Sequence, residues 1–565
     1  MALRVPYTGF ESKPGCIMIS RREFHKGVVA LALARLAAGP VQAGTQDDSL
    51  FYLNRLTFGA TVQSRATFNT LGLEKWLARE LEKPVENPDL SARLTAATLR
   101  MEYEAGETET GEKWPAVNEM RAYSYLDGNP EKLVDLLNYE LPVSYTERSR
   151  PAYEVIAASF IRATHSDAQL REVMTGFWHE HFSVNSDKDE GTAAFFAQYD
   201  LIMRENAFGN FRTLLGAVAH APSMLFYLNN EASRASPANE NYARELLELH
   251  TLGAKNYFND QYDDWKDVPK DAAGIALGYI DQDVYEVARA FTGWSVGDGR
   301  WIDEGRYAPA SGKFYYVDFW HDPYQKRILG REFAPNRGPE ADGEDVLDML
   351  AAHPATARFI SEKILRRLGI ETPSQKYLDH VAQVFLAHTQ SVDQIAHVLR
   401  AVILHTEFAQ TPAQKLRRPY EFLIAMFRAT GAEIVAPQDD LVWSLQVAGW
   451  RQHQVRPPTG HSDASSDWAN TRALNAMVDF ALYSHNDYFD GVAFDPVPKG
   501  AKTWADLAEH WRERFAAPSD TLDAFLSGSD LDIDEKLPTQ DPEYISWGSS
   551  TAIGLAALST QFMFR

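Results

Sequence analysis

The sequence predicts an all-α, mainly helical fold: a large helical domain with a small β-hairpin or extended segment near residues 312–333. Apolar residues recur at helical spacing along almost the whole chain. Only "GKFYYVDFWHDPYQKRILGREF" departs from that rhythm, with two aromatic and aliphatic runs around His321-Asp322-Pro323. Of the 565 residues 45% are hydrophobic and 12% aromatic, enough to fill a large core, since each aromatic ring buries ~150–250 Å².

The chain opens with "SRREFHKGVVALALARLAAGPVQA". Paired Arg21 and Arg22, then Phe24, Lys26 and an alanine-rich apolar run ending in Val41-Gln42-Ala43, have the pattern of a twin-arginine export signal. It predicts residues 1–43 as a signal, cleavage after Ala43 and a periplasmic mature protein. Met18 is an alternative start. Cys16 is the sole cysteine and would leave with the signal. The mature chain would then have no disulfide, thiolate nucleophile, iron–sulfur cluster or c-type haem.

Residues 44–565 are expected to form one helical domain, with lobes at 44–300 and 335–565 sharing one core. "FYLNRLTFGATVQSRATFNTLGLEKWLARELEKP" reads as two short helices with a turn at Gly59. "LREVMTGFWHEHF" places Leu170, Val173, Met174, Phe177 and Trp178 on one helical face. "HPATARFISEKILRRLG" is equally helical, and "VDQIAHVLRAVILHTEF" aligns Val392, Ile395, Val398, Leu399 and Val402. Residues 258–280, 451–467 and 527–542 are rich in polar and turn-forming types and read as loops. The formal charge of -23 argues against nucleic acid as a partner. No run is long enough to span a membrane. No phosphate-binding glycine loop and no Gly-x-Ser-x-Gly elbow occurs.

Four clusters could carry chemistry. In "SPANENYARELLELHTLG", a helix starting near Ser236-Pro237 gathers Glu240, Asn241, Arg244, Glu245 and Glu248 into one 140° arc at ~100° per residue. Glu245 and Glu248, at i,i+3, can share a proton or a metal. The bland alternative is a solvated face of i,i+4 pairs worth ~0.2–0.5 kcal/mol each. In "FWHEHF", His179 and His181 could share a metal only if the helix ended near His179. In a continuing helix they diverge, one buried and one at the surface. His321 and Asp322 mark a loop tip, where Lys326 could neutralise Asp322. Asp530, Asp532 and Asp534 alternate as in a calcium loop, but Glu535 stands where glycine is required. Trp294, Trp301 and Trp320 read as core or cleft wall.

Seven blocks occur in an order that resembles one family: "FYLNRLTFGAT", "FWHEHFSV", "NENYARELLELHTLG", "DVYEVARAFTGW", "HDPYQKRILG", "HPATARFISEKILRR" and "KLRRPYEFLIAMFRATG". Together they resemble the domain-of-unknown-function 1800 family over nearly the whole mature chain. The resemblance implies an exported bacterial protein, often encoded beside a sulfatase-like protein of the domain-of-unknown-function 1501 type. It supplies no catalytic residues. Residues 258–280 lengthen a usually short connection, and "RPPTGHSDASSDW" replaces a Gly-Trp motif.

Residues and compartment together suggest a hydrolase or lyase on a glycan or other envelope polymer. A glutamate would act as base, a histidine would bind a divalent metal or act as acid, and Arg244 would hold an anionic or carbonyl oxygen. The alternative is a non-catalytic binding or assembly protein working with the sulfatase-like partner. Export gives the first test. Changing Arg21 and Arg22 together to lysine should trap the precursor in the cytoplasm, and normal periplasmic recovery of that variant would refute the signal.

Overall fold

The computed structural model describes residues 47–565, apart from residues 83, 272, 484–488, 522 and 524–534. The export segment and the Asp530, Asp532 and Asp534 run lie outside the described residues. Most of the rest is helical, and strands occur only in short antiparallel pairs.

The first apolar block forms three helices where two were expected: Asp48–Leu56, Val62–Leu71 and Leu73–Glu82. Asp47 caps the first by accepting from the Ser49 amide at 2.8 Å. Thr61 and Ser64 cap the second reciprocally. Gly59 turns the chain as expected, at φ 143, with Ala425 so close that an added Cβ would lie 3.0 Å from its side chain. The unexpected break is Gly72, at φ 72, a backbone region open to glycine but costly for other residues.

The Gln169–His181 helix runs unbroken through "FWHEH". Leu170, Val173, Met174, Phe177 and Trp178 are all buried, as the spacing predicted. The Arg150–His165 helix packs against it and against the Phe196–Glu205 and Pro419–Thr430 helices. One continuous apolar cluster reaches from Leu53 to Met563. Val392 corrects the sequence reading: the Gln394–Ile403 helix starts after it and leaves it exposed, whereas Ile395, Val398, Leu399 and Val402 are buried.

Residues 312–333 are extended, but not as one hairpin. Ala310–Tyr316 pairs upstream with Trp294–Asp298, Trp294 opposite Tyr316 and Val296 opposite Phe314. Lys326–Ile328 pairs with Arg331–Phe333. A tight turn at Asp318–Trp320 separates the pairs, and Pro323 has no amide to give a ladder. A further hairpin, Thr98–Tyr103 with Val117–Ala122, escaped the sequence reading although Leu99 and Met101 bury alternate positions. Residues 258–280 close on themselves through isolated bridges, Tyr257 to Tyr279 and Lys270 to Ala276. No helix among the described residues is long and apolar enough to cross a membrane.

The core also holds charge. Glu421, 1% exposed, meets Arg367, Arg418 at 2.9 Å and Arg565 at 3.1 Å. Burial opposes its ionisation, but the Arg418, Arg565 and Arg367 charges outweigh that and hold it well below the usual carboxylate range. Asp200 is gripped by Arg204 at 2.7 Å, Arg162 at 3.1 Å and His179 at 3.0 Å. Removing one partner of such a network strands the others in a poor solvent. Glu421→Gln should therefore cost ~3–5 kcal/mol in chemical denaturation. A loss below ~1 kcal/mol would show that water screens the arginines.

Candidate functional site

The helix of the 236–253 stretch begins at Glu240, later than expected. Asn239 sets the start: its side chain accepts from the Asn241 amide at 3.0 Å. After Glu245 the regular helix gives way to a π-helical turn over Leu246–Thr251. The Leu252 and Gly253 amides both donate to the Leu247 carbonyl, at 2.9 and 3.1 Å, and the Thr251 hydroxyl donates to Leu246 at 2.6 Å. Such turns are rare and concentrate at functional sites. A wheel of constant pitch no longer places Glu248 correctly.

Glu240 is exposed and 3.6 Å from Arg244. Arg244 was expected to hold an anionic or carbonyl oxygen. It pairs instead with Asp281 at 3.3 Å, a carboxylate that also accepts from the Tyr257 hydroxyl at 2.8 Å. Asn241 donates to the Leu228 carbonyl at 3.2 Å. Glu245 and Glu248 are half-buried and make no hydrogen bond or ion pair among the described residues. Burial, then the Glu248 charge, pushes the Glu245 carboxyl up to about 7, with Arg244 counteracting only in part. The Tyr227 hydroxyl is pushed up to about 12 by burial and then by Glu245, and donates to the Arg456 carbonyl at 3.1 Å. The buried Tyr279 hydroxyl has no hydrogen-bond partner, and burial, then the Glu248 charge, pushes it up.

The structure does not bring His179 and His181 to one ion. Because the helix continues through both, their rings diverge, and both are buried. His179 joins Asp200. His181 donates from Nε2 to the His250 carbonyl at 3.1 Å and accepts from the Lys363 ammonium at Nδ1, at 2.9 Å. Burial and the Lys363 charge keep it neutral, well below its ordinary value. Burial in turn lowers Lys363 to about 8. The π-helical segment and the "FWHEHF" block thus meet, through the His250 backbone rather than through the glutamates.

His321 and Asp322 belong to a structural network and not to a free loop tip. Arg289, with contacts of 2.8 and 2.9 Å, is the main neutralising partner of Asp322, and Lys326 adds a looser ion pair at 4.0 Å. Lys326 pairs with Asp342 at 2.7 Å and donates to the Asp322 carbonyl at 2.6 Å. His321 donates from Nδ1 to the Thr292 carbonyl at 3.0 Å and faces Asp342 at 3.3 Å. Arg289 and Asp281, the partners of Asp322 and Arg244, lie in opposite end turns of the Asp281–Ala290 helix, ~12 Å apart at 1.5 Å per residue. The two clusters are separate.

Several polar groups escaped the sequence reading. Glu231 is buried with one carboxylate oxygen unpartnered, and burial raises it to about 7. Glu180 accepts from the His461 amide at 2.7 Å and lies 3.1 Å from its ring. His220, Glu340 and Glu344 place ligand atoms within 4.8 Å of one another. The one advance signal was the i,i+4 spacing of Glu340 and Glu344. A surface pocket of about 550 Å³ lies elsewhere, between Tyr52, residues 71–75 and residues 403–406.

The chain is thus mainly helical, with half-buried Glu245 ending a regular helix and half-buried Glu248 in the π-helical turn that follows. The family model described as "Protein of unknown function (DUF1800)" matches residues 52–563. The chain belongs to that family. No curated protein and no solved structure matches it.

Glu245 makes stability depend on pH. Between about 4.5 and about 7 the folded chain keeps a proton there that the unfolded chain has lost. Stability should therefore fall as pH rises through that window. Glu245→Gln should remove this component, a relative gain of ~1 kcal/mol at pH ~8 after discounting for solvent screening. Wild type and variant with parallel stability–pH curves would contradict the shift.

Proposed function

We propose that this protein is a periplasmic hydrolase or lyase acting on a glycan or other envelope polymer, with Glu245 as its general acid. The supporting observation is a carboxyl that burial and the Glu248 charge push up to about 7, half-open to solvent and committed to no partner among the described residues. Glu248, three positions on, is the second carboxyl group of the pair, and its charge raises Glu245. A carboxyl raised toward neutrality beside a second carboxyl suits the first to proton donation and the second to work as base or charge stabiliser. Arg244 and Asp281 edge the pair, and exposed Tyr257 joins them with a flat ring suited to a sugar face. Twin-arginine export places the enzyme beside envelope polymers, with the sulfatase-like protein as its partner.

One observation favours a second reading, a binding or assembly protein. The 550 Å³ pocket does not include Glu245, and Trp301, Tyr307 and Tyr324 are exposed, as on surfaces that dock another protein.

Purified mature protein incubated with peptidoglycan and a panel of envelope polysaccharides should release reducing ends or unsaturated sugars. Glu245→Gln should lower that rate ~10²–10⁴-fold without lowering the melting temperature. An inactive wild type that binds the sulfatase-like protein equally well with Glu245→Gln would establish the second reading.

A further inference from the structure

We propose that His220, Glu340 and Glu344 form a binding site for one divalent transition-metal ion. His220 ends the Phe211–His220 helix, Glu340 precedes the Ala341–Ala351 helix, and Glu344 lies in its first turn. The ring of His220 packs against Trp294, at 4.5 Å, and Phe314, at 4.4 Å. Its Nδ1 lies 2.7 Å from the Gly216 carbonyl, which only accepts. The Nδ1 proton is therefore fixed there, and the Nε2 lone pair points outward. A ligating histidine is ordinarily oriented in this way, with its far nitrogen donating to a carbonyl or carboxylate.

Nε2 faces two carboxylates, Glu340 Oε2 at 3.4 Å and Glu344 Oε1 at 3.5 Å. Those separations are long for a charge-assisted hydrogen bond, ordinarily ~2.7–2.9 Å. They match the ~3.4 Å edge of a tetrahedron whose ligands lie ~2.1 Å from a central ion. Glu344 is held by its other oxygen, Oε2, on Arg212, which also pairs with Asp348 at 2.6 Å. Arg212 thus orients Glu344 and leaves Oε1 for the ion. One arginine among Glu340, Glu344 and Asp348 leaves the cluster negative. Tyr242, 1% exposed and without a hydrogen-bond partner, is influenced by Glu344 from the buried side.

One imidazole with two carboxylates selects the zinc and manganese class over calcium and magnesium, which take oxygen alone. All three side chains are partly exposed, so water or a ligand oxygen can complete the coordination. The site is distinct from Glu245 and stands whether or not the proposed catalysis does.

The test is calorimetric titration of the mature protein, stripped with chelator, using ZnCl₂, MnCl₂ and CaCl₂, with elemental analysis after dialysis. One equivalent of zinc or manganese should bind at least ~100-fold more tightly than calcium. Because the His220 ring packs against Trp294 and Phe314, Glu340→Gln is the main variant and Glu344→Gln the second. Each should weaken that equivalent at least ~10-fold while the circular-dichroism melt of the metal-free protein stays near wild type. Failure of the wild type to retain zinc or manganese, or retention that neither variant changes, would overturn the site.

Discussion

The buried charge on Glu421 is the constraint on which the neighbouring packing depends. Its carboxylate collects Arg367 from the Pro354–Arg367 helix, Arg418 from the start of its own helix, and Arg565 near the last strand bridge. The backbones of Lys415 and Arg565 pair in both directions, at 3.1 and 2.8 Å. Ion pairs of this kind add little net stability, because desolvation consumes most of the Coulombic gain. They do make misplacement costly, since a shifted helix would strand a charge. Three distant stretches of chain are therefore fixed to one point.

That fixing reaches the candidate site through one helix. Lys363 is four residues before Arg367, on the same face, so the anchoring that aims Arg367 at Glu421 aims Lys363 at His181. His181 in turn donates to the His250 carbonyl in the π-helical turn. The turn is held from below by a neutral histidine, an ammonium and the buried Leu246 and Leu247. Glu245 and Glu248 lie above this floor, half out of water and close enough to repel. The charged interior is structural, and in the half-buried ground above it burial and the Glu248 charge push the Glu245 carboxyl up.

A second network supports the other candidate. Asp342 collects Lys326, His321 and Arg337, so the start of the 341–351 helix is tied to the extended segment. Glu340 and Glu344 flank Asp342 in sequence but face His220 and Arg212. His321 and Lys326 thus tie the extended segment to the helix that carries Glu344, and Arg289 holds Asp322 beside them.

By itself the sequence determined the helical class, the buried faces of the 169–181 and 394–403 helices, the extended character of residues 312–333, and the family. These depend on local periodicity, which the chain carries from residue to residue. It also singled out Glu245 and Glu248 by their spacing. Only the tertiary structure decided their environment, because the π-helical turn breaks the constant pitch that a wheel assumes, and because half-burial belongs to the packing around a helix. The same holds for Arg244, drawn to Asp281 across a helix interface, and for His179 and His181, whose partners Asp200 and Lys363 are 21 and 182 residues away in sequence. His220 met Glu340 across 120 residues. No local pattern records such pairings, since they arise where helices that share one core bring distant charges into contact.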